Sequence, residues 1–333
     1  RLGVRANADN GADATTAIDL GAEGIGLCRT EHQFMGDRLP LVRRVILSHD
    51  VDAEEKALAA LAEAQREDFR ELLVAVGDRP VTVRLLDAPM HEFLPASAAE
   101  AEDEHQARML EHLHEENPML GVRGVRLALM HEGLYPAQVE GLFNAWVDVV
   151  STHDVRPELE VMVPLVSIPE ELVMMLRLIR RVNQEVATRT GVLVPFKIGT
   201  MVETPRAALM ADKLAQWAEF LSFGTNDLTQ LTYGFSRDDV ERRMLGTYLE
   251  KGLMTASPFA ELDDQGVGVL MEYAVAKARS VRPDIKLGIC GEHGGDPSSI
   301  AICEGLGLDY VSCSPTRIPL ARLAAAHASI GGE

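Results

Sequence analysis

Positive charge and cysteine are both scarce in this 333-residue chain, and each scarcity removes a class of function. Lys and Arg number 32 against 51 Asp and Glu, a formal net charge of -19. A surface that neutralises nucleic-acid phosphates or anionic lipid needs a basic face, so neither partner is expected, although a local group of arginines could still hold a small anion. The four cysteines, Cys28, Cys290, Cys303 and Cys313, form no CxxC pair and no cysteine–histidine spacing of zinc type. They suggest neither a disulfide framework nor a structural metal, and they fit a reducing compartment. No apolar run approaches the roughly 20 residues that span a bilayer, and no signal-peptide pattern is present. The expectation is a cytoplasmic protein. The chain opens at Arg1, without methionine and directly in a strand-like run, as a segment cut from a longer polypeptide would.

With 47% hydrophobic and 25% charged residues, the chain can bury one large core, and residues 1–333 read as a single domain. Short apolar runs alternate with helical patterns. Leu2 to Ala6, Gly24 to Cys28, Val81 to Leu85, Glu160 to Pro164, Lys197 to Glu203, Phe220 to Gly224, Lys286 to Cys290 and Tyr310 to Ser312 read as eight strands. Helical patterns include Thr15 to Leu20, a segment from Asp52 closed by Gly77, one capped by Ser167 and Glu170, and one from about Gln265 to Ser280. Such alternation closes naturally into a (β/α)8 TIM barrel. An open doubly wound sheet is the structural alternative, weakened because no GxGxxG follows the first strand. Residues 88–120 break the alternation and read as an acidic insertion. Its His105, His112 and His114 sit among glutamates, where a solvated helix face explains them better than a metal site.

Reactive side chains stand where the apolar runs stop: Arg29, Arg84, Glu203, Asn226, Asp227 and Cys290. In a barrel all those ends meet on one face. Glu203 and Asp227 offer only oxygen, which suits a hard cation such as Mg²⁺. Arg29, Arg84 and Arg123 suit planar contact with a phosphoryl group or carboxylate, and Arg126 follows Gly124 closely. The turn Gly224, Thr225, Asn226 can aim backbone N–H groups at a carboxylate, and Cys290 can exchange a proton with carbon. Taken singly, an arginine is more often an ion-pair residue, a buried cysteine is more often packing, and Asp227 could cap a helix. Their convergence favours a site. Cys28, Cys303 and Cys313 lack that context and read as structural.

The segments GAEGIGLCRTEH, TVRLLDAPMHEFLP, ENPMLGVRGVRL, IGTMVETPRAALMAD, FGTNDLTQLTYGFSRDD and GICGEHGGDPSSI occur in that order. Together they resemble the C-terminal, phosphoenolpyruvate-binding barrel of the pyruvate, phosphate dikinase family, nearly end to end. Phosphoenolpyruvate (PEP) synthase and enzyme I of the sugar phosphotransferase system share the RTE, GTNDLTQ and CGE cores, while HEFLP and GFSRDD favour the dikinase. The resemblance implies a half-reaction in which a phosphoryl group moves between PEP and a histidine on a separate swivelling domain, leaving pyruvate. It assigns the phosphoryl group to Arg29, Arg84 and Arg123, Mg²⁺ to Glu203 and Asp227, the substrate carboxylate and carbonyl end to Gly224, Thr225 and Asn226, and protonation of the enolate to Cys290. It also implies a homodimer. Neither a TSHA-like phosphohistidine motif nor an ATP-binding domain occurs in the sequence, so a partner domain must supply the phosphohistidine, in cis or in trans. Two other readings are a lyase acting on an oxo acid with Mg²⁺ and a non-catalytic PEP- or pyruvate-binding dimerisation module.

Overall fold

Eight strands, all parallel, run in the order β1 (Gly3–Asn7), β2 (Ile25–Arg29), β3 (Pro80–Arg84), β4 (Glu158–Val163), β5 (Phe196–Val202), β6 (Phe220–Phe223), β7 (Lys286–Ile289) and β8 (Tyr310–Cys313). Each pairs with its neighbours in sequence, and β8 returns to β1 with Gly3 opposite Tyr310 and Ala6 opposite Cys313, so the sheet is a closed barrel. This computed structural model describes residues 1–47, 50–95 and 104–331. The (β/α)8 expectation holds, and the open-sheet alternative fails on the β1–β8 pairing.

The strands are short and nearly wholly buried because both faces are covered. Outward residues such as Val81, Val83, Val161, Leu221 and Ile289 pack with the surrounding helices into one apolar cluster. Inward residues form layers. At the amino-terminal end, Glu160 gathers Arg5 at 2.7 Å, Thr82 at 2.6 Å and Lys286 at 3.0 Å. Above them Leu27, Met162, Met201, Phe220 and Cys290 form a separate apolar cluster. Gly288 makes room for this stacking, since a Cβ there would lie 2.1 Å from the Tyr310 ring. The carboxyl-terminal end above is polar again and holds the expected site.

Several helix ends differ from expectation. The first helix starts at Gly11, because Asn10 accepts from the Asp13 N–H and caps it earlier. The long helix Val51–Val76 is capped by Asp50 rather than by Asp52. Before Pro169–Thr190 the carboxylate of Glu171, not Glu170, accepts from the Ser167 and Ile168 N–H groups. Helices Leu39–Leu47 and Ile318–Gly331 lie outside the helical patterns expected, and between Thr225 and Glu250, where the polar sequence suggests a loop before the helix near Gln265, the chain forms three short helices. Within the insertion, residues 96–103 and the His105 side chain lie outside the described residues. His112 and His114 are exposed, and among the described residues no three His, Cys, Asp or Glu side chains are grouped to hold a metal.

Candidate active site

The carboxyl ends of the strands surround a cavity of about 250 Å³. The three arginines, Arg29, Arg84 and Arg123, line it, as do Glu203, Asp227 and Cys290; Gly224 and Asn226 complete the expected set. Thr225 does not line it. Its side chain is buried and turned onto His293.

Each arginine is held by carboxylate. Asp87, three residues past the end of β3, takes Arg84 at 3.1 Å and grips Arg123 through both oxygens, at 3.0 and 2.8 Å. Arg84 also donates to Glu31, and Arg123 reaches Asp227 at 3.2 Å. Burial opposes the charge of Arg84 and Arg123, but these carboxylates outweigh it and push both guanidinium pKa values above their ordinary value. Arg29 is more exposed. Asp9 accepts its backbone N–H at 2.8 Å and its guanidinium at 2.8 Å, and the same carboxylate meets His32 Nδ1 at 2.9 Å. A guanidinium carries five donors in a fixed fork, so an arginine braced in this way still presents N–H groups to an anion.

Glu203 follows β5 and is buried. Its carboxylate accepts from the Leu165 N–H at 2.6 Å. Leu165 is the one non-glycine with positive φ (58°) among the described residues, so a sterically disfavoured backbone is kept where it fixes this carboxylate. Burial, followed by the neighbouring charges of Asp87 and Asp227, raises the Glu203 pKa to about 8. A buried carboxylate crowded by two others is a place where a cation relieves repulsion. The all-oxygen donor set fits Mg²⁺, which keeps water and substrate oxygens in its shell.

Gly224 follows β6 and caps the helix Thr225–Tyr233. A Cβ at Gly224 would lie 2.7 Å from Met201 Sδ and 2.8 Å from Glu203 Oε2, so only glycine fits between them. Asp227 is therefore not the cap; it sits in the helix's first turn, facing the cavity. Cys290 follows β7, is 5% exposed, and its Sγ lies 3.7 Å from the Phe223 carbonyl. Burial pushes its thiol up to about 11, so it is protonated at neutral pH and suited to giving a proton rather than to nucleophilic attack. The hydroxyls of Ser222 and Tyr310, on the flanking strands, are buried inside the barrel beside the thiol.

The sequence reading passed over Asp9, Glu31, Asp87 and His293. Asp87 had a signal, a carboxylate three residues beyond a strand-end arginine, and Glu31 stands two residues after Arg29. His293 stands three residues beyond Cys290, in the same polar stretch after the apolar run, whereas nothing local marks Asp9 as a partner of the site.

Residues 1–330 match the family described as PEP-utilising enzyme, PEP-binding domain. Among curated proteins the chain is 50% identical to "Pyruvate, phosphate dikinase, chloroplastic" of Mesembryanthemum crystallinum, over 98% of this chain and 35% of that protein. It is 48% identical to "Pyruvate, phosphate dikinase" of Rhizobium meliloti (strain 1021) and 47% identical to that of Clostridium symbiosum, over all of this chain and 38% and 39% of theirs. The chain thus spans little more than a third of the length of these relatives. Among solved structures, a citrate lyase from Burkholderia xenovorans LB400 superposes with a TM-score of 0.40 at 15% identity, over 68% of this chain and 61% of that one, too loosely to bear on function. No helix among the described residues is long and apolar enough to cross a membrane.

Proposed function

The chain belongs to the PEP-utilising enzymes as their PEP-binding domain, and from that premise we propose that it carries out the PEP/pyruvate half-reaction of a pyruvate, phosphate dikinase. One observation carries the reading: a buried, protonated thiol, Cys290, opens onto the same small cavity as the braced arginines and the Glu203–Asp227 pair.

In the direction of pyruvate formation, Arg29, Arg84 and Arg123 hold the phosphoryl oxygens of PEP while the group passes to a histidine on another domain, in cis or in trans. The Asn226 amide and the backbone at Gly224 and Thr225 orient the carboxylate end. Glu203 and Asp227 would hold Mg²⁺, whose contribution when bound is to neutralise charge on the enolate and phosphoryl oxygens. Cys290 Sγ–H then gives its proton to the methylene carbon, the S–H bond breaking as the C–H bond forms, and pyruvate leaves a thiolate to be reprotonated. The apolar layer of Leu27 and Met201 beside the thiol suits a methyl group and excludes water from the carbon. A homodimer in the cytoplasm completes the proposal.

The test is exchange of pyruvate methyl protons in D2O with Mg²⁺, followed by NMR, for the chain and for Cys290→Ala. Exchange is expected in the chain and a loss of about a hundredfold or more in the variant. Oxalate, which mimics the enolate, should bind both proteins with Mg²⁺ and neither after chelation. Failure of oxalate to bind the unaltered chain would remove this assignment of the cavity.

A further inference from the structure

His293 is fully buried three residues beyond Cys290, yet it does not line the cavity. Its two ring nitrogens bridge two other segments. Nε2 lies 3.0 Å from the Pro258 carbonyl, and Nδ1 lies 2.7 Å from Thr225 Oγ1. A carbonyl only accepts, so Nε2 carries the hydrogen. In the neutral ring Nδ1 is then the acceptor, and the Thr225 hydroxyl donates to it. Burial favours that neutral ring by lowering its pKa.

The bridge joins the two segments that the chemistry must align. One of these segments, the capped helix start after β6, carries Gly224, Asn226 and Asp227; the other, the loop after β7, carries Cys290. Among the described residues the other direct ties are the Glu292 N–H to Asn226 Oδ1 at 3.4 Å, the Cys290 N–H to the Phe223 carbonyl at 3.2 Å and the Cys290 Sγ–H to the same carbonyl at 3.7 Å. Between them Gly291 is pressed against Thr225, where a Cβ would lie 2.0 Å from Oγ1. Of these four hydrogen bonds, that between His293 and Thr225 is the shortest, and it is buried.

We infer that His293 is a positioning residue for proton transfer, fixing the Cys290 loop against the Asn226–Asp227 helix start through the Thr225 hydroxyl. The catalytic part of this inference rests on the function proposed above; the coupling of the two segments does not. Protonation at carbon requires the thiol and the enolate to be aligned together, and small misplacements are costly.

The test uses Thr225→Val, which removes the donor; His293→Gln, whose amide reaches toward Pro258; and His293→Asn, whose carbonyl stands where Nδ1 was. Two readouts are taken: iodoacetamide labelling of each cysteine, mapped by mass spectrometry, and pyruvate methyl exchange with separate kcat and KM. In Thr225→Val and His293→Gln, Cys290 should label about tenfold faster and kcat should fall about tenfold with KM little changed, while His293→Asn stays within about threefold of the unaltered chain. Cys28, Cys303 and Cys313, all buried, should label at an unchanged rate. Unchanged Cys290 labelling in the first two variants would overturn the inference. So would equal acceleration at all four cysteines, which reports general loosening rather than a loop displaced from its partner. If the labelling pattern appears but the unaltered chain exchanges no methyl protons, the loop coupling stands and the catalytic role falls with the proposed function.

Discussion

Asp87 grips Arg123 with both carboxylate oxygens while its Oδ2 also meets Arg84 at 3.1 Å, so one fully buried acid sets the spacing of two arginines that line the cavity. Removing it leaves two buried cations short of their partner, and breaking a buried pair in this way costs about 3–5 kcal/mol. Asp87→Ala should therefore lower unfolding stability in urea by that order and weaken Mg²⁺–oxalate binding. Asp87→Asn, which keeps one of the two acceptor oxygens and the side-chain volume, should lose less stability than Asp87→Ala. Unaltered stability in both variants would show that the arginines are held by Glu31 and Asp227 alone.

Glu160, at the opposite end of the barrel, governs acid stability. Burial alone would raise its pKa, but Arg5, with help from Lys286 and Thr82, brings it to about 2 from an ordinary value of 4.5. A carboxylate depressed on folding contributes its stability above the unfolded value and loses it as pH falls through the folded one. The stability advantage of the unaltered chain over Glu160→Gln should be full above about pH 5 and shrink between about pH 4.5 and 2, by on the order of 3 kcal/mol. An advantage independent of pH across that window would contradict it.

Cys290, with its thiol near 11, should be alkylated slowly at neutral pH, and its rate should rise about tenfold per pH unit well past the value where an ordinary thiol levels off. A plateau near pH 9 in the folded chain would mean that burial does not control the thiol.

Leu27 and Met201 share the cavity with Cys290. Leu27→Ala should cost about 2–5 kcal/mol of stability as a core truncation. It should also raise methyl-side proton exchange for 2-oxobutyrate relative to pyruvate, because the space opens beside the carbon that Cys290 serves. An unchanged preference would place the methyl group elsewhere.

Barrel architecture was legible in the sequence because parallel strands buried on both faces read as short apolar runs, several of which stop at or beside a reactive residue such as Arg84, Glu203 or Cys290. Site membership followed from topology, since strand ends must converge. Direction did not. Thr225 lies beyond the strand, where alternation no longer says which way a side chain points, and only the fold brings His293 close enough to claim it. The brace of Arg123 was hidden for a similar reason: Asp87 lies 36 residues away and meets it across a loop. Helix starts slipped because Asn10 and Asp50 each offered a cap earlier than the apolar pattern required.

The apolar layer of Leu27, Met162, Met201 and Phe220 separates the Arg5–Glu160 network from the Asp87–Glu203 network. It acts as an insulating partition inside a single barrel. Changes to the lower charges should retune acid tolerance with little effect on the charges that line the cavity above. Paired substitutions across the layer, such as one at Glu160 with one at Asp87, should therefore be nearly additive in stability.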